Sequence, residues 1–186
     1  MPICPWAQRE PETTYHDVEW GVPVHDDRVL FEFVTLEGAQ AGLSWSTILN
    51  KREGYRQAFC RWDIEKIARL NQRSVERLVK DPSIVRHRGK IEATIGNAKA
   101  ALKVIEQYGS LDAYLWQFVD GQPIINQFEV MSQVPAKTPI SDAMTKQLKK
   151  DGFKFVGSTI CYAFMQAVGM VNDHLTSCPR WQDCSA

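Results

Sequence analysis

Residues 149–157 read KKDGFKFVG, a basic, glycine-centred stretch between two helical patterns, SDAMTKQLKK before it and VGSTICYAFMQAVGMV after it. Gly152 permits the backbone of a tight turn. Lys149 and Lys154 flank that turn. Unpaired N–H groups and the positive dipole end of the next helix would face an anion. Two helices joined in this way, over about residues 141–170, can grip the phosphates of a DNA strand irrespective of its sequence. A solvated helix–helix turn is the plainer alternative, because lysine is common at helix C-termini.

The helical period extends outward from this point. Asp26 and Asp27 cap DDRVLFEFVTLEGAQAG, whose Leu30, Phe33 and Val34 form an i, i+3, i+4 stripe. Further helices start at Ser44, Asp63 and Ser74. HRGKIEATIGNAKAALKVIEQYG closes on Gly109, Ser110 opens SLDAYLWQFVDG, and Ser141 caps the helix before the hairpin. Residues 120–139 are polar, carry three prolines and read as one long connection, in which PIINQ is β-rich but isolated. The fold class is all-α, many short helices in a single domain spanning 1–186.

Composition sets the bounds. The chain has 186 residues, enough to bury a core, with zero formal net charge. Nucleic acid, if bound, must meet local basic patches such as 149–154 or RHRGK at 86–90. No apolar run approaches the roughly 18–20 residues that span a bilayer, and the first residues lack the apolar core of a secretory signal. A cytoplasmic protein without a membrane partner is expected, and nothing suggests an obligate dimer. Five cysteines without framework spacing argue against a disulfide scaffold.

Cys4 and His16 near the start, with His174 and Cys178 near the end, form a metal-like set. In HLTSC the His and Cys are four apart, so a helical turn would place both on one face. Two Cys and two His make a closed tetrahedral set suited to structural zinc. A surface His with free thiols is the competing reading. TTYHDVEWG (13–21) alternates too poorly for a strand and lacks the stripe of a buried helix, yet holds Tyr15, His16 and Trp20. LEGAQAGLSW (36–45) puts Glu37 near a helix C-terminus, where the dipole disfavours it. Glu37 is thus an exposed charge or a buried acceptor with a purpose.

YHDVEWG, LEGAQAGLSW, VRHRGKI (85–91) and GFKFVGSTICYAFMQAVGMVNDH (152–174) together resemble the 3-methyladenine DNA glycosylase I family of bacterial alkylation-repair enzymes, over nearly the whole chain. The resemblance implies the helix-hairpin-helix glycosylase fold, two helical lobes around a cleft, with a zinc ion tying segments 1–20 and 170–180 through Cys4, His16, His174 and Cys178. It implies an enzyme acting on alkylated double-stranded DNA; with no lysine placed as a Schiff-base nucleophile, a monofunctional hydrolase without strand cleavage is expected, and a monomer. Tyr15 and Trp45 would sandwich the flipped, electron-poor base, Trp20 would wall the pocket, and Glu37 would accept from the base edge and support the transition state. Leu43, following Gly42, would plug the gap left by the flipped nucleotide, or else simply make a hydrophobic contact at a helix start. Lys149, Gly152 and Lys154 would hold phosphates.

Two departures from the wider superfamily stand out. The second glycine of its hairpin is replaced by Lys154, and Asp173, in the region of its catalytic Asp, adjoins His174, which argues against its reaching the cleft. Cys184 is a possible competitor for the metal. Trp6, Trp62 and Trp116 read as core residues, Trp181 is without an assigned role, and Cys60 and Cys161 read as buried thiols. The rival functions are a zinc-stapled DNA-binding module and a zinc hydrolase with an open metal position.

Overall fold

Asp26 and Asp27 are neighbours in the chain but cap different helices. Asp26 accepts the N–H groups of Arg28 and Val29, both at 3.0 Å, and opens helix Asp27–Gln40. Asp27 reaches across the fold and accepts from the N–H groups of Leu111 and Asp112, at 3.0 and 2.8 Å. Each capping bond of this kind stabilises by about 1 kcal/mol, and the second also seats one helix end on another.

The computed structural model describes residues 4–185. The ends of the expected 1–186 domain, and the first three residues of the expected metal segment 1–20, lie outside them. Among the described residues ten α-helices follow in order: α1 Glu12–Val18, α2 Asp27–Gln40, α3 Trp45–Ala58, α4 Ile64–Ala68, α5 Gln72–Leu78, α6 Arg88–Tyr108, α7 Leu111–Trp116, α8 Pro139–Lys150, α9 Ser158–Ala167 and α10 Pro179–Asp183. The fold is all-α apart from one short bridge, as the periodicity requires. No helix of the described residues is long and apolar enough to cross a membrane.

The expected stripe on α2 is too narrow. Every residue from Leu30 to Ala39 is buried, because α2 packs against α3, α6 and α7 and also against α9. A helix buried on all faces is the centre of its domain. Two groups of helices, α4–α7 and α8–α9, meet along it. Glu37 therefore sits inside the molecule, whatever its local preference.

Several expected boundaries move for identifiable reasons. TTYHDVEWG is helical over its first half, as α1, whose buried residues are Tyr15 and His16. Seven residues are too few to display a stripe. The helix expected from Ser74 begins earlier, because Asn71 accepts from the N–H groups of Arg73 and Ser74. Likewise Thr138, with Pro139 at the first helical position, caps α8. Ser141 lies one turn in and bonds Ser158 Oγ at 2.8 Å, joining α8 to α9.

The last long helix stops at Ala167 rather than running to 171. Gly169 takes φ +70° where a Cβ would strike the backbone of Val22 and Pro23. HLTSC is not helical; the Cys178 N–H turns back to the Leu175 carbonyl at 2.8 Å. PIINQ is not isolated either: β1 (Ile124–Ile125) pairs in parallel with β2 (Val171–Asn172), with Ile124 opposite Val171 and Ile125 opposite Asn172. Cys161 is buried, and Cys60 only half-buried.

Candidate active site and metal centre

The N-terminal end of α3, the C-terminal half of α2, α1 and α9 converge on a cavity of about 190 Å³. Tyr15, Trp20, Glu37 and Trp45 all line it. The Tyr15 and Trp45 rings lie 5.4 Å apart, centroid to centroid, tilted by 57°. Trp6, expected in the core, is part of this wall. Its ring meets Trp20 edge-on at 5.0 Å and lies 6.4 Å from Tyr15.

The Glu37 side chain is buried, and its carboxylate has no hydrogen-bond or ion-pair partner among the described residues. Burial alone pushes its pKa up to about 8, since a low-dielectric site penalises the charged form. Tyr15 Oη and Trp45 Nε1 are likewise buried without partners. Two buried donors of residues in the cavity wall thus lack partners, which is costly unless something meets them.

Asp173 also lines the cavity, despite standing beside His174. Its carboxylate accepts from Tyr162 Oη at 2.6 Å, Gln166 Nε2 at 2.8 Å and Asn126 Nδ2 at 2.7 Å. Those donors come from α9 and from the segment after β1, so the parallel bridge brings Asn126 to its place. Met131 and Val134, from the long connection, complete the wall. Nothing in their sequence context marks them out. Trp181 finds a structural task, donating from Nε1 to the Asn126 carbonyl at 2.7 Å.

Behind the pocket Arg52 of α3 bonds Glu32 of α2 at 2.6 Å and Glu19, at the end of α1, at 2.8 Å. Its guanidinium lies 5.2 Å from the centre of the Phe33 ring. One side chain therefore ties together the three helices that carry Tyr15, Glu37 and Trp45.

Beside the cavity a second depression shares Glu37 and Gln40 and is bordered by Gly42, Leu43 and Thr159. Gly42 takes φ +80°, and the Leu43 N–H closes the turn onto the Gln40 carbonyl at 2.7 Å. The Leu43 side chain is 40% exposed, high for a leucine at such a rim. The hairpin residues lie apart from the cavity. Gly152 takes φ +95°, and Lys149 and Lys154 are exposed. The Lys154 N–H is already taken: it donates to Asn97 Oδ1 at 2.8 Å, while Asn97 Nδ2 donates back to the Lys154 carbonyl at 3.0 Å. Only the Lys154 side chain is available to an anion.

Cys4, His16, His174 and Cys178 are all buried, and their ligand atoms lie within 4.8 Å of one another. This cluster could hold a metal ion. His16 Nδ1 is engaged by Asp17 Oδ1 at 2.7 Å and His174 Nε2 by the Trp20 carbonyl at 2.9 Å. Those outward bonds leave His16 Nε2 and His174 Nδ1 facing each other at 3.1 Å, two lone pairs that a shared cation would reconcile. Burial lowers the pKa of His174 to about 4, which keeps it neutral as a ligand must be. Cys184 is buried near His174, behind Gly21, but is not a member of the set.

Comparison with known proteins shows the family. The family described as methyladenine glycosylase matches residues 6–181. DNA-3-methyladenine glycosylase 1 of Escherichia coli (strain K12) is 51% identical over 179 residues, 96% of each chain. DNA-3-methyladenine glycosylase of Haemophilus influenzae is 46% identical over 177 residues, 95% of this chain and 96% of its own. The crystal structure of a 3-methyladenine DNA glycosylase I variant in complex with 3-methyladenine superposes with a TM-score of 0.93 at 38% identity, covering 96% of this chain and 97% of that one. With its family matched from residue 6 to 181 and relatives half identical along their whole length, the chain belongs to the methyladenine glycosylase family.

Proposed function

We propose that the protein is a monofunctional DNA glycosylase that excises 3-methyladenine from alkylated duplex DNA, with Glu37 as the group that reads the lesion. The carrying observation is the buried, unpartnered Glu37 carboxyl facing Tyr15, Trp20 and Trp45 in a cavity of about 190 Å³. That volume is below the roughly 300–1,000 Å³ of sites for drug-sized ligands and suits one nucleobase. A relative has been solved with 3-methyladenine bound.

The chemistry follows from the charge of the substrate. 3-Methyladenine in DNA is a cation, so its glycosidic bond is already weakened. The Tyr15 and Trp45 rings, 5.4 Å apart, touch each other and leave no room for the expected sandwich. Once flipped, at a cost of a few kcal/mol, the base enters the cavity they line with Trp20, where aromatic faces favour a cation. Glu37 gives up its proton as the cation enters and accepts from the base edge. Neutral adenine does not draw that ionisation and is refused. When the C1′–N9 bond breaks, its electron pair neutralises the purine, and water adds to the sugar carbon with loss of a proton. The attraction to Glu37 disappears with the charge, which favours release of the base from the abasic site. Asp173, fixed by three donors, is the second acceptor in the pocket.

Leu43 on its turn fills the stack, and the side chains of Lys149 and Lys154, with the turn at Gly152, hold the strand. Zinc fits the Cys4–His16–His174–Cys178 cluster. Zn–N of about 2.0 Å and Zn–S of about 2.3 Å imply tetrahedral edges of roughly 3.3–3.8 Å. His16 and His174 stand 3.1 Å apart, Cys4 and Cys178 lie 3.8 and 3.9 Å from His174 and Cys178 3.7 Å from His16, and all four ligand atoms fall within 4.8 Å of one another. Four protein ligands make the ion structural. The chain acts as one domain and one protomer, in a cytoplasmic setting.

The test is release of free 3-methyladenine from methylated duplex DNA, run beside Glu37→Gln. Release by the parent and its loss in the variant supports the reading. Release that survives the substitution transfers the role to Asp173. A folded protein that binds DNA but releases no base would be a binding module instead.

A further inference from the structure

Lys90 belongs to RHRGK, a run whose charges would ordinarily face phosphate, yet its ammonium is turned inward. Nζ donates to the Ala39 carbonyl at 2.9 Å and to the Ala41 carbonyl at 2.7 Å. No carboxylate lies within ion-pair distance of it among the described residues. The Gln40 carbonyl between those two is taken by the Leu43 N–H. Three consecutive carbonyls at the C-terminal end of α2 are therefore closed, two of them by one ammonium. A cation suits that negative dipole end, whereas Lys90 itself stands in the first turn of α6, where a cation is unfavourable. Its position therefore costs α6 locally, and the return is made on α2.

Asn97, seven residues on from Lys90 and hence on the same helical face, holds Lys154 of the hairpin from both sides. Between the two, Gly38 of α2 sits against Phe155, whose carbonyl a Cβ at Gly38 would approach to 3.1 Å. One face of α6 thus carries the Leu43 turn at one end and the phosphate hairpin at the other.

We infer that Lys90 is a positioning residue for excision: through the Ala39 and Ala41 carbonyls it holds the Gly42–Leu43 turn at a fixed offset from the hairpin, so that gripping the strand places Leu43 in register with the flipped nucleotide. The inference rests on the wedge role proposed above for Leu43. Lys90 touches neither the base nor the phosphates in this account, which separates it from an ordinary basic DNA contact.

The experiment compares Lys90→Met, Lys90→Arg, Leu43→Ala and the Lys90→Met/Leu43→Ala pair in the zinc-loaded protein. Misplacement of a reacting element by about 1 Å can cost on the order of 100-fold, so Lys90→Met is expected to slow single-turnover excision from methylated duplex about 10- to 100-fold. Binding of free 3-methyladenine, read by tryptophan fluorescence, should stay at the parental value, because Tyr15, Glu37 and Trp45 are untouched. The double variant should be little worse than Leu43→Ala alone, and Lys90→Arg, which keeps two donors, should recover most of the rate. The salt dependence of duplex binding should be unchanged. Parental excision by Lys90→Met, fully additive losses, or a salt slope shallower by about 0.9, the signature of one lost phosphate contact, would each overturn the inference. A silent Leu43→Ala would remove the wedge and the inference with it, while failure of every form to bind free 3-methyladenine would instead condemn the base-pocket reading.

Discussion

Tyr15 and His16 are consecutive residues of α1, and one lines the aromatic cavity while the other belongs to the buried Cys/His cluster. The Tyr15 ring lies 5.4 Å from that of Trp45; His16 Nε2 lies 3.1 Å from His174 Nδ1. Trp20 adds a second link, meeting the His174 ring edge-on at 4.6 Å while lining the pocket. The Cys/His cluster and the cavity wall therefore share one piece of structure.

Stripping the metal should destabilise the fold and soften the pocket together. At free zinc a thousandfold above Kd, occupancy stabilises by about 4 kcal/mol, so a chelated sample should melt earlier by the corresponding amount. Free 3-methyladenine should bind it more weakly. Metal content by elemental analysis should be one ion per chain, and Cys178→Ser should lower it.

Glu37 makes stability depend on pH in a direction unusual for a carboxylate. Its folded pKa is raised, from an ordinary 4.5 to about 8. Between those values the folded chain holds a proton that the unfolded chain has lost, so the contribution is destabilising as pH rises through the window and constant above it. Glu37→Gln should flatten that decline and leave the protein more stable at pH 8 by roughly a few kcal/mol at most. Denaturant titrations of both forms from pH 5 to 8 measure it. Lesion affinity should run the other way, rising toward pH 8 as the proton to be displaced becomes easier to lose.

Arg52→Met removes the tie among α1, α2 and α3 and strands two carboxylates. A fully buried pair broken in this way costs about 3–5 kcal/mol. The Glu19 side chain is 38% exposed, so water recovers part of that loss and about 2–3 kcal/mol is expected by urea unfolding. Replacing Glu32, whose side chain is only 11% exposed, should cost more than replacing Glu19.

Asn97→Ala should free the hairpin without disturbing the pocket. It deletes two hydrogen bonds to Lys154, worth about 1 kcal/mol each. Affinity for unmodified duplex should fall a few-fold while free 3-methyladenine still binds, as fluorescence titrations with each ligand would reveal.

Much of the site is legible in the chain because it rests on rare residues whose chemistry is narrow. Cys4, His16, His174 and Cys178 suggest a metal by type alone, and Glu37, Tyr15 and Trp45 stand within short quoted motifs. What was hidden depends on tertiary contact. Trp6 looks like any core tryptophan until its neighbours place it at the cavity. Met131 and Val134 belong to a polar connection whose course is set by a two-residue bridge, too short to carry a period. The caps at Asn71 and Thr138 were displaced by competing serines three residues later, each itself a good cap. Lys90 misleads most, since the basic run around it points to solvent while burial against α2 decides its partner.

The metal cluster takes two ligands from the first sixteen residues and two from 174–178, and it holds the helix that presents Tyr15. During synthesis α1 can lean on α2 and α3 through Glu19 and Arg52, but the cluster beside it cannot close until Cys178 has been made. A chain cut short between Lys154 and His174 keeps Glu37, Leu43 and both hairpin lysines, yet lacks the half of the cluster beside which Tyr15 and Trp20 are set. Closure of the cluster is therefore reserved for a chain made at least as far as Cys178.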